Sequence, residues 1–500
     1  MNTIPLDNDE REKILAYEGN IAIVASAGSG KTTIMTKKIN KVLASIKTHK
    51  TVVAITFTRK ATEEIRRKAT EMSKDRNFIA MTNDSFADLE IIRPFISDLI
   101  GEGIEFKNSY DKKDCFKKFD QGLEKLQSGI LGTYMDSKKN FKYELALKIL
   151  NKSVAAREYI KSKYEMIFID EYQDSDADMH ELFMYIANEL KIKLFLVGDP
   201  KQSIYEWRGA DKRIFEKLPE SFEVVKLFHN FRCPQAISQY ANILHDPKVL
   251  DNIPIIRCNE IIIGSGDPKI STVINSNILD LSKEITIIVR TNKEGEDFKE
   301  HLKKELNLDF EFIPKTPLDD LASTNVSYLR MIVKYIVDKK FNIFDFTNSM
   351  SINVPNKDAK KLSKILSQVD EFAEDGAYQK LVNISNEIFG VELNSGEIDA
   401  LRRTLKNKKV ANSFIDTEAK YRIMTIYGAK GLEFDQVVGY AKDYTKDIVK
   451  SWKTHYVFVT RAKEKLVIID NESNEYRSII NKCIKYNGKD PGMFYQSLSF

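Results

Sequence analysis

Ala25-Ser26-Ala27-Gly28-Ser29-Gly30-Lys31-Thr32 follows an apolar run and opens a stretch of helical periodicity. Glycines let successive backbone N–H groups turn towards a phosphate, and a helix N-terminus adds its positive end. In that setting Lys31 is placed to reach the β- and γ-phosphates of a nucleotide, and the Thr32 hydroxyl to ligate Mg2+. The first position holds Ala25 where the strict pattern has Gly, so the motif is matched in all but one residue. A second stretch, Ile167-Phe168-Ile169-Asp170-Glu171-Tyr172-Gln173-Asp174, puts carboxylates at the end of an apolar run. Two acids there need a positive partner: Asp170 suits Mg2+, and Glu171 suits activation of an attacking water.

These residues need a scaffold that gathers strand ends. Ile21 to Ala25, Val52 to Thr56, Met166 to Ile169 and Leu194 to Val197 are continuous apolar runs, as in parallel strands covered on both faces. Ile34, Met35, Ile39, Val42, Leu43 and Ile46 recur at helical spacing after the first. Lys-rich, helix-like text fills roughly 87–163. A second strand–helix pattern starts near 223, with Ile285 to Val289, Ile423 to Ile426 and Leu466 to Ile469 as strands. It is interrupted near 334–415 by another charged, helical stretch. The fold class is therefore α/β, with two parallel-sheet domains that each carry a helical insertion.

Composition bounds the rest. Five hundred residues exceed one hydrophobic core. With 42% hydrophobic and 30% charged residues the chain is not largely disordered. A net charge of +4 excludes a polybasic protein but not a local basic channel. Cys115, Cys233, Cys258 and Cys483 are scattered without zinc-ligand spacing, which fits a reduced compartment. The charged N-terminus lacks the apolar core of a signal peptide, and no run reaches the length of a membrane span. A soluble cytoplasmic protein is expected.

A third stretch, Val197-Gly198-Asp199-Pro200-Lys201-Gln202-Ser203-Ile204-Tyr205-Glu206-Trp207-Arg208-Gly209-Ala210, completes a pattern. With it the chain resembles superfamily-one DNA helicases of the UvrD/Rep/PcrA type. The resemblance extends through Thr56-Phe57-Thr58-Arg59-Lys60-Ala61 and Thr82-Asn83-Asp84-Ser85-Phe86 (motifs Ia and Ib) and Asn230-Phe231-Arg232 (motif IV). It continues in Gly428-Ala429-Lys430-Gly431-Leu432-Glu433-Phe434 and Val459-Thr460-Arg461-Ala462 (motifs V and VI). It implies two RecA-like P-loop NTPase domains: 1–86 with 164–222, and 223–333 with 416–500. Residues 87–163 would be the insertion of the first and 334–415 a reduced insertion of the second.

The same resemblance implies roles. ATP and Mg2+ would be bound by Ala25, Ser26, Ala27, Gly28, Ser29, Gly30, Lys31, Thr32 and Thr33, with Asp170 on the metal. Phe231 would face the base and Glu433 the ribose. Gln202 would couple the γ-phosphate to the DNA site, and Arg232 and Arg461 would be arginine fingers. Extra cations of that kind suit the charge that develops on a transferring phosphoryl group. Phe57, Thr58, Thr82, Tyr205, Trp207 and Arg208 would contact DNA. Aromatic faces among them stack any base, worth roughly 1–3 kcal/mol each, which suits sequence-blind tracking of one strand.

Four departures touch the nucleotide pocket. Glu10 stands where the adenine-reading Gln of the Q motif would be, and it offers acceptors only. Thr33 replaces a stacking Arg, Phe231 lacks the usual Tyr hydroxyl, and Tyr427-Gly428 replaces His-Ser. Loose selectivity, with other nucleoside triphosphates accepted beside ATP, is expected.

Further residues resemble the helicase-like subunits of Gabija anti-phage systems. Among them are Phe168-Ile169-Asp170-Glu171-Tyr172-Gln173-Asp174-Ser175-Asp176, Asp178-Met179-His180, Leu182-Phe183-Met184-Tyr185, Ile91-Ile92-Arg93-Pro94-Phe95 and Phe312-Ile313-Pro314-Lys315-Thr316-Pro317-Leu318-Asp319. That likeness implies a partner, an OLD-like ATPase fused to a Toprim nuclease, joined in a hetero-oligomer. Only about thirty-five residues follow Leu466, fewer than a fused nuclease needs. Three readings stay open: a DNA-binding motor of a defence complex, a stand-alone 3′-to-5′ repair helicase, and an ATPase switch that controls a nuclease without productive unwinding.

Overall fold

The computed structural model describes residues 5–57, 62, 65, 68, 78–101, 103–108, 114–136, 138–203, 210, 213–244, 259–266, 269–314, 316–321, 325–349, 354–370, 373–391, 393, 395–415, 419–429, 432–445, 448–470, 474–486 and 488–499. Contacts divide the chain into two compact units. One comprises Met1–Ala25, Gly30–Leu227 and Pro317–Ile415; the other comprises Ser26–Ser29, Phe228–Thr316 and Asp416–Phe500.

Among the described residues, the first unit is built on a six-stranded sheet. Its strands are β1 (Ile21–Ala25), β2 (Thr51–Thr56), β3 (Ile79–Thr82), β4 (Tyr164–Ile169), β5 (Lys193–Gly198) and β6 (Glu223–Leu227). They lie in the order β6-β1-β5-β4-β2-β3, every pair parallel. Side chains alternate across a strand, so each apolar run feeds two cores. Val53, Ile55, Ile167, Ile169, Leu194 and Leu196 fall in one cluster. Their neighbours Val52, Ala54, Met166, Phe168, Phe195 and Val197 fall in another. Each of these buried side chains except that of Ala54 contributes about 1.5–3 kcal/mol. This is why the strands read as unbroken apolar runs.

Glu223–Leu227 corrects the expected boundary. The second pattern was expected to begin at 223, but these residues pair in register with Ile21–Ala25. Helix α1 (Asn8–Ala16) reaches this strand through an ion pair of Lys13 with Glu223 at 2.6 Å. β6 is an edge strand, where Val225 and Leu227 are buried while Val224 is exposed. Local patterning cannot tell which sheet such a strand joins.

The described residues of 87–163 contain the helices Arg93–Ile100, Phe119–Gln127, Phe141–Lys152 and Val154–Lys163, with two short parallel strand pairs. They share one core with a face of the sheet, and Phe86 stacks on Phe183 with ring centroids 5.7 Å apart. The described residues of Pro317–Ile415 are mainly helical and close around their own core, which includes Tyr328, Leu329, Ile332, Leu381 and Leu401.

In the second unit, the described residues form a seven-stranded sheet. Its strands are β7 (Ile261–Ser265), β8 (Ile285–Val289), β9 (Glu311–Ile313), β10 (Tyr421–Thr425), β11 (Phe434–Tyr440), β12 (Ala462–Ile469) and β13 (Gln496–Ser499). The order is β9-β10-β8-β11-β12-β7-β13, again parallel throughout. Both units are thus parallel sheets flanked by helices, the expected α/β class. Among the described residues no helix is long and apolar enough to cross a membrane.

Candidate nucleotide and nucleic-acid site

In an all-parallel sheet the C-terminal strand ends lie along one edge, where the following loops gather ligand-binding groups. β1 delivers its turn to this edge of the first sheet, β4 delivers Asp170 and Glu171, and β5 delivers Asp199 and Gln202. The strand order separates β1 from β4 by β5 alone.

The turn after β1 is left-handed at Gly28 (φ 71°) and Gly30 (φ 79°). An L-residue in such conformations costs roughly 1–2 kcal/mol, so glycine at these positions is a backbone requirement. Gly30 is the N-cap of α2 (Lys31–Ser45), so Lys31 and Thr32 open the helix. Ile34, Met35, Ile39 and Leu43 are buried along that helix and hold its first turn at the sheet edge. Thr33 is exposed.

Ser26–Ser29 group with the second unit, and hydrogen bonds there grip the turn. The Ala27 N–H donates to the Tyr456 hydroxyl at 3.0 Å, and Asn230 Nδ2 donates to the Ala27 carbonyl at 2.8 Å. The Phe231 N–H donates to the Gly28 carbonyl at 2.9 Å. Nothing local in the sequence marks Asn230 or Tyr456 for this contact.

Asp170 is buried at the end of β4, and its Oδ1 accepts the Glu171 N–H at 2.9 Å. Glu171 itself is left-handed (φ 51°), an uncommon state for a residue with a side chain, which costs on the order of 1 kcal/mol or more. A carboxylate and a hydroxyl are hard oxygen donors of the kind Mg2+ accepts, so Asp170 and Thr32 fit that ion.

Gln202 is buried and donates through Nε2 to Asp199 Oδ2 at 2.7 Å. Thr82 is also buried, where its hydroxyl accepts the Ser85 N–H at 3.2 Å and so caps a short helix. Phe57 is partly buried against the core. Thr58, Tyr205, Trp207 and Arg208 lie outside the described residues.

In the second unit Arg232 and Glu433 meet, with Nε and Oε1 2.7 Å apart. Arg461 is wholly buried. Its guanidinium donates to the carbonyls of Val457 (2.9 Å) and Leu432 (2.7 Å) and to the Thr460 hydroxyl (3.0 Å). These bonds tie Arg461 to the segment that ends in Glu433. Phe231 is 56% exposed, its ring edge-on to His229 at 4.5 Å. Cys233, next to Arg232, is buried, and that burial pushes its thiol up to about 11.

Comparison with known proteins accords with this arrangement. The model of the UvrD/REP helicase N-terminal domain matches residues 6–141 and 143–223, and that of the UvrD-like helicase C-terminal domain matches 342–473. Gabija protein GajB of Bacillus cereus (strain VD045) is 39% identical over 95% of this chain and 97% of its own length. ATP-dependent DNA helicase PcrA of Bacillus subtilis (strain 168) is 25% identical over 72% of this chain and 56% of its own. ATP-dependent DNA helicase Rep of Buchnera aphidicola subsp. Baizongia pistaciae (strain Bp) is 25% identical over 66% and 58%. With both domain models matched in chain order and a relative of 39% identity along nearly its whole length, the chain belongs to the UvrD-like helicases.

Proposed function

We propose that this chain is the ATP-hydrolysing, DNA-binding subunit of an anti-phage defence assembly. The observation that carries the enzymatic part is the delivery of the glycine turn, Asp170, Glu171 and Gln202 to one edge of a single parallel sheet. Bound there, Mg2+ and nucleotide supply a polarised γ-phosphoryl group for transfer to water. Lys31 and the turn's N–H groups hold the phosphates, Thr32 and Asp170 hold the metal, and Glu171 takes the proton from the attacking water. Arg232 and Arg461 add the cations that the developing charge requires. Phe231 stacks on the base, Glu433 binds the ribose, and Gln202 passes the state of the phosphate to the DNA-binding residues. Those are Phe57, Thr58, Thr82, Tyr205, Trp207 and Arg208.

The defence setting is supported by the likeness to GajB over nearly the full length of both chains. In that setting the subunit engages DNA ends or single strands and activates or assists a partner OLD-like ATPase with a Toprim nuclease. Steady-state hydrolysis with and without single-stranded DNA tests the enzymatic reading. Lys31→Ala and Glu171→Gln are expected to abolish turnover while the melting temperature holds; turnover retained in either refutes the site. Co-purification with the nuclease, followed by mass measurement, tests the partnership. Strand displacement on a tailed duplex separates a motor from a switch.

A further inference from the structure

Gln173 lies two residues beyond Glu171 and is only 1% exposed, yet it is a side-chain amide with both ends engaged. Its Nε2 donates to Oε2 of Glu171, and its Oε1 accepts the Asp199 N–H at 2.8 Å. The two partners fix the orientation of the amide, because a carboxylate only accepts and a backbone N–H only donates. Asp199 continues the line: its Oδ2 accepts from Gln202 Nε2 at 2.7 Å. Four residues from the ends of two neighbouring strands are thereby joined by consecutive hydrogen bonds.

Gly198 carries independent support for this arrangement. A Cβ there would lie 2.3 Å from Gln173 Oε1 and 3.1 Å from its backbone nitrogen. No side chain at 198 leaves the amide where it is. Filling the space would be done at lower desolvation cost by an apolar residue, so burial alone does not account for an amide.

We infer that Gln173 is a positioning residue that orients the Glu171 carboxylate and ties it to the segment carrying Gln202. The inference rests on the reading of Glu171 as the water-activating group. A displacement of the Asp199–Gln202 segment is then felt at Glu171 through one amide, a direct route from the nucleic-acid response to hydrolysis.

The test uses the full chain and three variants. Gln173→Met keeps the length and loses both bonds; Gln173→Glu keeps the acceptor for the Asp199 N–H and loses the donor to Glu171. Gly198→Ala displaces the amide while leaving residue 173 itself unchanged. Melting temperature, kcat, KM for ATP and the ratio of DNA-stimulated to basal turnover are measured for each. Each variant should lower kcat by on the order of 10- to 100-fold, the scale of a small misplacement at a reacting centre, with KM changed less than about twofold. Gln173→Met and Gly198→Ala should also lose the stimulation by single-stranded DNA. Parental kcat and stimulation in any variant that melts with the parent overturn the inference. If Gln173→Met does not fold, Gly198→Ala and Gln173→Glu decide by the same criterion. Turnover retained in Glu171→Gln would instead overturn the site reading itself. An inactive Glu171→Gln beside a fully active Gln173→Met removes the positioning role alone.

Discussion

Arg232 Nε lies 2.7 Å from Glu433 Oε1, joining the segment after β6 to the segment before β11. The pair links two residues proposed above to serve different parts of a nucleotide, one its phosphate and one its ribose. Each therefore sets the charge that the other experiences.

Arg232→Ala should lower kcat at least about 100-fold if the guanidinium serves the transition state, and Arg232→Lys should not restore it. Lysine carries the charge but lacks the planar fork. Glu433→Gln should cost less, and the double variant should resemble Arg232→Ala. Strict multiplication of the two single effects in a double-mutant cycle would deny the coupling.

Asp176 caps the helix Ala177–Asn188 by accepting the Met179 N–H at 2.7 Å. Burial, with Asp178 and Asp84 nearby, pushes its carboxyl from 3.8 up to about 7. Between those values the folded chain holds a proton that the unfolded chain has lost, so this group's contribution to stability falls as pH rises from about 4 to 7. Asp176→Asn keeps an acceptor for the cap. It should melt higher than the parent at about pH 8, with the difference shrinking towards pH 5. Parallel melting curves across that range would contradict the assignment.

Tyr476 bridges two buried groups of the second unit, 2.7 Å from the Tyr240 hydroxyl and 2.7 Å from His455 Nε2. Burial lowers His455 to about 3, so it stays neutral at physiological pH. Tyr476→Phe keeps the ring and strands both partners, which should destabilise the fold by roughly 2 kcal/mol. Chemical denaturation would measure this, and an unchanged midpoint would show that the bonds carry little net stability.

Phe231 presents an open ring without a hydroxyl, and a ring face alone does not distinguish bases strongly. Hydrolysis of ATP, GTP, CTP and UTP should give kcat/KM values within about tenfold of one another, and Phe231→Ala should raise KM for all four. A strong preference for ATP would point to base-reading groups elsewhere.

Much of the first site was legible because its chemistry is local. A strand, a glycine turn and a helix start occupy Ile21 to Thr33 without a break, and Asp170-Glu171 sits directly on a strand end. Short-range sterics and apolar periodicity determine such units, so the sequence by itself established the parallel α/β class and marked the candidate phosphate-loop and carboxylate residues. Long-range pairing obeys no local signal. Only the tertiary structure decided that Glu223–Leu227 joins the first sheet, and that Gln173 reaches Asp199 across neighbouring strands. The same holds for the buried Arg461 bonded to Leu432 and for Tyr456 accepting the Ala27 N–H. Each of those contacts depends on which distant segments share a strand edge or a helix face, and that is settled by the burial of the whole chain.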